Sequence, residues 1–125
     1  MLSHGDVFER YPELKVVISH CGAALHRRPP GDRHLAQKDL SNNLFYDTSA
    51  YDLNFLEAGI KQHGVAQSLF GTEAPGSGGA PRPDTGKPHD DLVPVIANFG
   101  FLSEDDKINI FNKNPARLFP QLVNV

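Results

Sequence analysis

Three short apolar runs, separated by longer stretches of helix-forming and loop sequence, constrain the fold of this chain most. They are KVVISH over 15–20, LFYDTS over 44–49 and QSLFGT over 67–72. Their length and their β-branched and aromatic residues are typical of strands, and their nearly continuous apolar character is typical of strands covered on both faces. Alternation of strands and helices at about 25-residue spacing predicts right-handed βαβ units, and hence an α/β fold with a parallel sheet.

The clearest helical pattern lies between the second and third runs. In DLNFLEAGIKQHG, residues 52–64, three apolar side chains recur on one helical face: Leu53, Leu56 and Ile60. Asp52 is the predicted N-cap and Gly64 the predicted C-cap, since an aspartate oxygen satisfies free N–H groups and glycine tolerates a left-handed backbone.

A long connection follows Glu73 and precedes the C-terminal helices. Residues 74–90 are rich in Pro and Gly, and a loop of this size is typical of a lid over a binding site. Helices are predicted over 90–120, where Ser103 and Asp106 have the spacing of a capping box. We interpret residues 1–125 as one partial domain.

Composition limits the classes of function. The chain has 125 residues, 39% of them apolar, and a formal charge of −3 without a long basic run, which argues against a nucleic-acid partner. No apolar stretch has the length of a membrane span, and no N-terminal secretory pattern is visible. The single cysteine, Cys21, fits a reducing compartment, so we expect a cytoplasmic protein with no membrane partner.

The three predicted strands all end in polar residues. His20 and Cys21 end the first, Asp47 and Ser49 the second, and Glu73 follows the third. In parallel sheets the ligand lies beyond the carboxyl ends of the strands, so we expect a shared polar site there. Plain capping of strand ends by these residues stays open as the alternative.

Four motifs in order resemble one known family. KVVISHCGAALH, LFYDTSAY, LFGTEAPGSGG and NPARLFPQL together are similar to the C-terminal part of the amidohydrolase-related family of metal-dependent hydrolases. The lead-in FERYPELKVV is also similar to the segment before that family's sixth strand. The resemblance covers nearly the whole chain and points to the branch of hydratases and decarboxylases.

This resemblance implies a TIM-like (β/α)8 barrel of which the chain holds about three βα units, incomplete on its own. It also implies a divalent metal, with zinc expected. The family's metal-binding His-x-His and its strand-five histidine have no counterpart here, so the remaining ligands would come from outside this chain. We therefore expect another chain or a second copy to complete the sheet, because three strands cannot close a barrel.

The resemblance also assigns roles to two residues. His20 matches the strand-six histidine, which polarises the substrate or moves a proton in relatives. Glu73 matches the strand-eight acid, which faces the metal and activates its water; the family more often has Asp there. Glutamate at this position and PDTGKPHDD after the lid resemble the hydratase members. We therefore predict His20 and Glu73 as catalytic and Glu73 as the metal-facing residue.

Weaker candidates surround these two. Arg27 and Arg28 are predicted to bind substrate carboxylates, for which guanidinium groups are suited, although a solvated basic loop explains them equally well. Ser49 and His89 are predicted to contact substrate, although an exposed position in a surface loop also explains His89. Cys21 is interpreted as a packing residue and His63 as a surface residue.

The predicted function is part of a metal-dependent lyase or hydrolase that acts on a small carboxylated substrate by hydration or decarboxylation. The enzyme class implies a place in aromatic degradation and requires a completed barrel. Two alternatives stay open: a non-catalytic scaffold or assembly domain, which the missing metal ligands favour, and a truncated, inactive fragment.

Overall fold

A three-stranded parallel sheet organises the chain in the computed structural model, which describes residues 6–22 and 40–121. The strands are β1 (Val16–Ile18), β2 (Leu44–Asp47) and β3 (Ser68–Leu69), in the spatial order β1-β2-β3. The α-helices of the described residues are α1 (Val7–Arg10), α2 (Leu53–His63), α3 (Val93–Ala97), α4 (Glu104–Ile108) and α5 (Asn114–Leu118). The predicted α/β class and parallel pairing are correct.

Each strand lies inside its predicted run but is shorter than that run. Val16 pairs with Leu44, and Tyr46 pairs with Ser68, both in parallel register. Regular pairing therefore stops before His20, Ser49 and Glu73. The residues that follow each strand adopt non-strand backbone, which aims their side chains by turns instead of by the alternation of a pleated strand.

Helix α2 begins and ends as its sequence predicts. Asp52 accepts hydrogen bonds from the backbone N–H groups of Asn54 and Phe55, and Gly64 follows the helix with φ +85°. Leu56 and Ile60 are fully buried on one face. Together with apolar residues of the C-terminal segment they form the main core cluster: Cys21, Ala50, Leu56, Ile60, Leu92, Ile96, Leu102 and Ile110.

The C-terminal helices are short, and α4 and α5 form one continuous helical run. Ser103 and Asp106 form the predicted capping box at the start of α4, and a π-helical turn, Asn109–Lys113, connects α4 to α5. The NPAR motif, at the start of α5, binds the segment that leads into β3. The Asn114 side chain donates to the carbonyls of Val65 and Ser68 at 2.8 and 2.9 Å. Because Asn114 is buried, these bonds fix the helix against the strand.

The predicted lid is ordered by a few specific contacts. Segment 74–90 contains a 3₁₀ turn, Ser77–Gly79, and one antiparallel bridge between Pro81 and Pro88. The buried Arg82 donates to the carbonyls of Tyr51 and His89, at 3.3 and 2.6 Å. The lid is thereby tied to the segment that follows β2.

Candidate active site

His20 and Glu73 meet beyond the carboxyl ends of β1 and β3. His20 Nε2 lies 3.7 Å from Glu73 Oε1, and the side chains remain 55% and 39% exposed. The topology therefore brings together the two residues that the sequence predicts as catalytic. An accessible imidazole beside an accessible carboxylate provides one proton donor and one proton acceptor on the same open face.

The backbone at His20 is held in an uncommon conformation. His20 and Cys21 have φ values of +56° and +54°, and Gly22 follows with φ +85°. Left-handed backbone costs non-glycine residues roughly 1–3 kcal/mol each, so surrounding contacts must maintain it. This turn directs the His20 ring away from the line of β1 and towards Glu73.

Ser49 contacts His20 twice. The His20 backbone N–H donates to Ser49 Oγ, and His20 Nδ1 lies near the Ser49 carbonyl oxygen, both at 3.3 Å. A carbonyl only accepts, so Nδ1 carries the proton in this bond. Nε2 is then the ring nitrogen that faces Glu73, and in the protonated ring it donates towards Oε1. Ser49 is only 3% exposed. The geometry gives it a positioning role, and its contact with substrate stays a prediction.

Glu73 is also held in a left-handed conformation, with φ +61°. Tyr51 Oη donates to Glu73 Oε2 at 2.8 Å, and Ser77 Oγ donates to the same oxygen at 3.4 Å. The two carboxylate oxygens therefore have different surroundings, one hydrogen-bonded and one facing His20. Gly76 makes the tight turn possible, since a Cβ there would lie 2.3 Å from the Glu73 carbonyl oxygen.

Sequence reasoning missed Tyr51, although it follows the DTSA segment at the end of β2. Desolvation is the largest effect and raises the pKa of Tyr51. A hydrogen bond with Ser77 opposes it, and the hydrogen bond and charge of Glu73 and the charge of Asp90 raise the pKa further. The hydroxyl therefore keeps its proton and remains a donor to Glu73. Its position in the polar segment that follows β2 could have indicated a place near the site.

Asp47 and the core bury Cys21. Asp47 Oδ1 accepts from the backbone N–H groups of Cys21 and Ser49, at 3.2 and 3.1 Å. Cys21 is 1% exposed; burial, and after it the charge of Asp47, raise the pKa of its thiol to about 11. Such a thiol is a poor nucleophile near neutral pH, which agrees with the predicted packing role.

His63, which lies beside Cys21, is not a simple surface residue, because its ring stacks on Tyr46 with the ring centroids 3.8 Å apart.

The remaining predicted residues divide into two groups. His89 lies in the lid, donates from Nδ1 to the Ala80 carbonyl at 2.7 Å and has its ring 6.3 Å from that of Tyr51. It is near the site, and its contact with substrate stays a prediction. Arg27 and Arg28 lie outside the described residues. Arg82, which sequence reasoning missed, supports the lid from within.

A metal site is not complete in the part of the chain that the structure describes. Across residues 6–22 and 40–121, no group of three or more His, Cys, Asp or Glu side chains could hold a metal ion. His20 and Glu73 provide two donors of suitable chemistry, whereas zinc takes four ligands, of which at least three come from protein in catalytic sites. Glu73 thus fits as one member of a ligand shell, beside His20 as a proton-transfer group. The described helices also include none with the length and apolar character needed to cross a bilayer.

Comparison with known proteins identifies the family. The profile of the Amidohydrolase family matches residues 1–121, almost the whole chain. The chain belongs to this family. Members of the family are generally metal-dependent, and the recognition made from the four motifs is confirmed.

Two relatives are both hydratases. The chain is 31% identical over 132 residues to 2-keto-4-carboxy-3-hexenedioate hydratase from Sphingobium sp. strain SYK-6, covering 97% of this chain and 38% of the relative. The crystal structure of 4-oxalomesaconate hydratase from Rhodopseudomonas palustris superposes with a TM-score of 0.80 at 28% identity. That match covers 98% of this chain and 40% of the other.

The chain thus spans about two-fifths of the length of these relatives. The superposition and the parallel βα units confirm the predicted fold class, a partial TIM-like α/β barrel. Because a TIM barrel needs eight strands to close, the described sheet accounts for only part of its wall.

Proposed function

We propose that this chain forms the C-terminal part of a hydratase, a lyase that adds water across a double bond of a small carboxylated substrate. The observation that carries the proposal is the approach of His20 Nε2 to Glu73 Oε1 at the strand ends. The two hydratases among its relatives favour hydration over decarboxylation or hydrolysis.

The proposed chemistry assigns one proton transfer to each residue. Glu73 Oε1 accepts a proton from the attacking water as its oxygen bonds to one alkene carbon. His20, as imidazolium, gives the Nε2 proton to the other carbon while its Nδ1–H stays on the Ser49 carbonyl. A proton then passes from Glu73 to His20 and restores both residues, so that only water has been added.

The proposed cofactor is a divalent metal ion, with zinc expected and Glu73 as the residue of this chain that contacts it. When bound, such an ion lowers the pKa of a bound water and stabilises developing negative charge. Arg27 and Arg28 are proposed to bind the substrate carboxylates, and Ser49 and His89 to contact the substrate. The place in aromatic degradation and the cytoplasmic location also stay predictions.

We further propose that additional βα units, on this polypeptide or on another chain, complete the barrel. Within the described residues, β1 and β3 each pair on one side only, whereas β2 pairs on both. A groove of about 680 Å³ is lined by residues of the segment that precedes β1, among them Val7, Tyr11 and Leu14. Tyr11 and Leu14 are exposed there, and so is Val17 on β1. An unpaired edge beside exposed apolar side chains favours a further strand and helix at this position.

Native mass spectrometry tests completion of the barrel. The chain, purified with any partner that co-elutes, should have the mass of a complex, or it should gain a partner when the missing barrel units are supplied. A stable, cooperatively folded monomer that binds neither an added barrel segment nor a second copy would contradict this part of the proposal.

A hybrid enzyme tests the reaction. This chain replaces the matching part of 2-keto-4-carboxy-3-hexenedioate hydratase, and hydration of that enzyme's substrate is followed with added Zn²⁺. Glu73→Gln keeps a carbonyl oxygen for Tyr51 but removes the base, so kcat should fall by about 10²–10⁴-fold. Glu104→Gln, the same change at an exposed position of α4, is the matched control. Unchanged turnover in the Glu73 variant would refute the assignment.

A further inference from the structure

The left-handed turn at His20 and Cys21 is held from two sides. On one side Asp47 Oδ1 accepts from the Cys21 and Ser49 N–H groups, at 3.2 and 3.1 Å. On the other side lies α2. His63 Nε2 donates to the Cys21 carbonyl at 3.0 Å, and a Cβ at Gly59 would lie 2.2 Å from Cys21 Sγ. Cys21 therefore fills a space that only glycine on α2 leaves open.

Asp47 contacts both the turn that follows β1 and the segment that follows β2. It is the last residue of β2, and a single oxygen joins the turn after β1 to the segment after β2. Ser49, which it orients, makes both hydrogen bonds to His20. Bonds to a charged acceptor are stronger than bonds to a neutral one, and a shared acceptor ties the two donors to one position.

We propose that Asp47 is the positioning residue of this site: through the Cys21 and Ser49 amides it fixes the His20 ring beside Glu73. It acts through other residues and does not contact the reacting atoms. The consequence for turnover rests on the proposed hydratase function, whereas the consequence for the turn does not.

Cys21 provides a direct measurement because it is the only cysteine of the chain. The rate of thiol alkylation by iodoacetamide in the native full chain, divided by the rate for the same variant in urea, reports opening of the turn. Asp47→Ala should raise this ratio by about 10- to 100-fold. Asp47→Asn retains a side-chain carbonyl oxygen but loses the charge, so its ratio should lie clearly below that of Asp47→Ala and above that of the unaltered chain.

Asp106→Ala is the matched control. Asp106 also accepts two bonds with one carboxylate oxygen, from the Ser103 N–H and Oγ, but it lies in the capping box of α4. Its alkylation ratio should equal that of the unaltered chain. A parallel rise in the Asp47→Ala and Asp106→Ala variants would reveal global opening and overturn the proposal. So would failure of Asn to rescue, or an unchanged ratio in Asp47→Ala.

Amide hydrogen exchange in the unaltered chain gives a test that needs no variant to fold. The Cys21 and Ser49 amides should both be protected, and exchange of either at the rate of a free amide would overturn the proposal. In the hybrid enzyme, Asp47→Ala should lower kcat by about 100-fold with a smaller change in KM, and Asp47→Asn should restore part of it. If the unaltered hybrid is inactive, the hydratase proposal fails while the alkylation and exchange results still decide the role of Asp47.

Discussion

The Tyr51 hydroxyl donates a 2.8 Å hydrogen bond to Oε2 of Glu73 and leaves Oε1 facing His20. Oε2 of Glu73 is thus held by a hydrogen bond, whereas Oε1 is available for proton transfer. The same segment that carries Tyr51 also carries Asp47 and Ser49, which act on His20. The chain leaving the central strand therefore orients groups that follow both outer strands.

Replacing Tyr51 with Phe should impair turnover without unfolding the chain. The variant loses the donor to Glu73, whose side chain then samples other rotamers, and kcat in the hybrid enzyme should fall by roughly 10- to 100-fold. Urea denaturation of the variant checks that the fold is kept. A correctly folded Tyr51→Phe variant with unchanged kcat would show that Tyr51 does not position Glu73.

Thr48 extends the contact between β2 and β3 beyond their last backbone pair. Its buried hydroxyl donates to the Gly71 carbonyl at 2.9 Å and accepts from the Gly71 N–H at 3.0 Å. Thr48→Val leaves the Gly71 N–H and carbonyl without these hydrogen bonds. The free energy of unfolding should therefore fall by about 2 kcal/mol. Thr48→Ser keeps the hydroxyl and should lose less than half as much. Urea denaturation measures both, and a Val variant as stable as the parent contradicts this reasoning.

Cys21 should make the chain sensitive to alkaline pH. Its pKa is raised from 9.0 to about 11, so the folded state keeps a proton that the unfolded state releases. This contribution is fully present below pH 9 and is lost as the pH rises towards 11. It amounts to on the order of 2 kcal/mol.

Urea denaturation between neutral and alkaline pH checks this prediction. The Cys21→Ala variant is less stable at neutral pH because it leaves a cavity, but its stability should fall less steeply above pH 9. Parallel stability curves for the two proteins would show that the thiol does not titrate as described.

The capping box of α4 should make the free energy of unfolding depend on pH in the acid range. Hydrogen bonds from Ser103 lower the pKa of Asp106 below its usual 3.8. The stabilisation is present above that usual value and is lost as the pH falls through the lowered one. Asp106→Asn should therefore be less stable than the parent at pH 7, and the difference should narrow in acid. A stability difference that stays constant from pH 7 to pH 3 would contradict this assignment.

Local rules predicted much of the fold correctly. The caps of α2 at Asp52 and Gly64 and the capping box at Ser103 depend on residues within four positions of one another. Their outcome is therefore visible in the sequence. The approach of His20 and Glu73 was also predictable, because parallel strands bring their carboxyl ends to one edge of the sheet.

Local rules did not predict the backbone conformation or the contacts of His20, Cys21 and His63. The sequence places His20 and Cys21 on a strand, whereas both residues adopt left-handed backbone after β1 has ended. Their partners lie far along the chain: Asp47 is 26 residues from Cys21, and His63 is 42 residues away. No local propensity specifies such bonds.

The sequence by itself determined the parallel α/β class, the helix caps and the shared edge of the polar strand ends, since periodicity and chain topology are enough for these. The resemblance to the family selected His20 and Glu73 among the residues at that edge. Only the tertiary structure decided how those residues are held. Tyr51, Asp47 and Arg82 act through hydrogen bonds to groups that only folding brings within 3.5 Å. Positive φ at His20 and Glu73 persists because these non-local bonds offset its local cost.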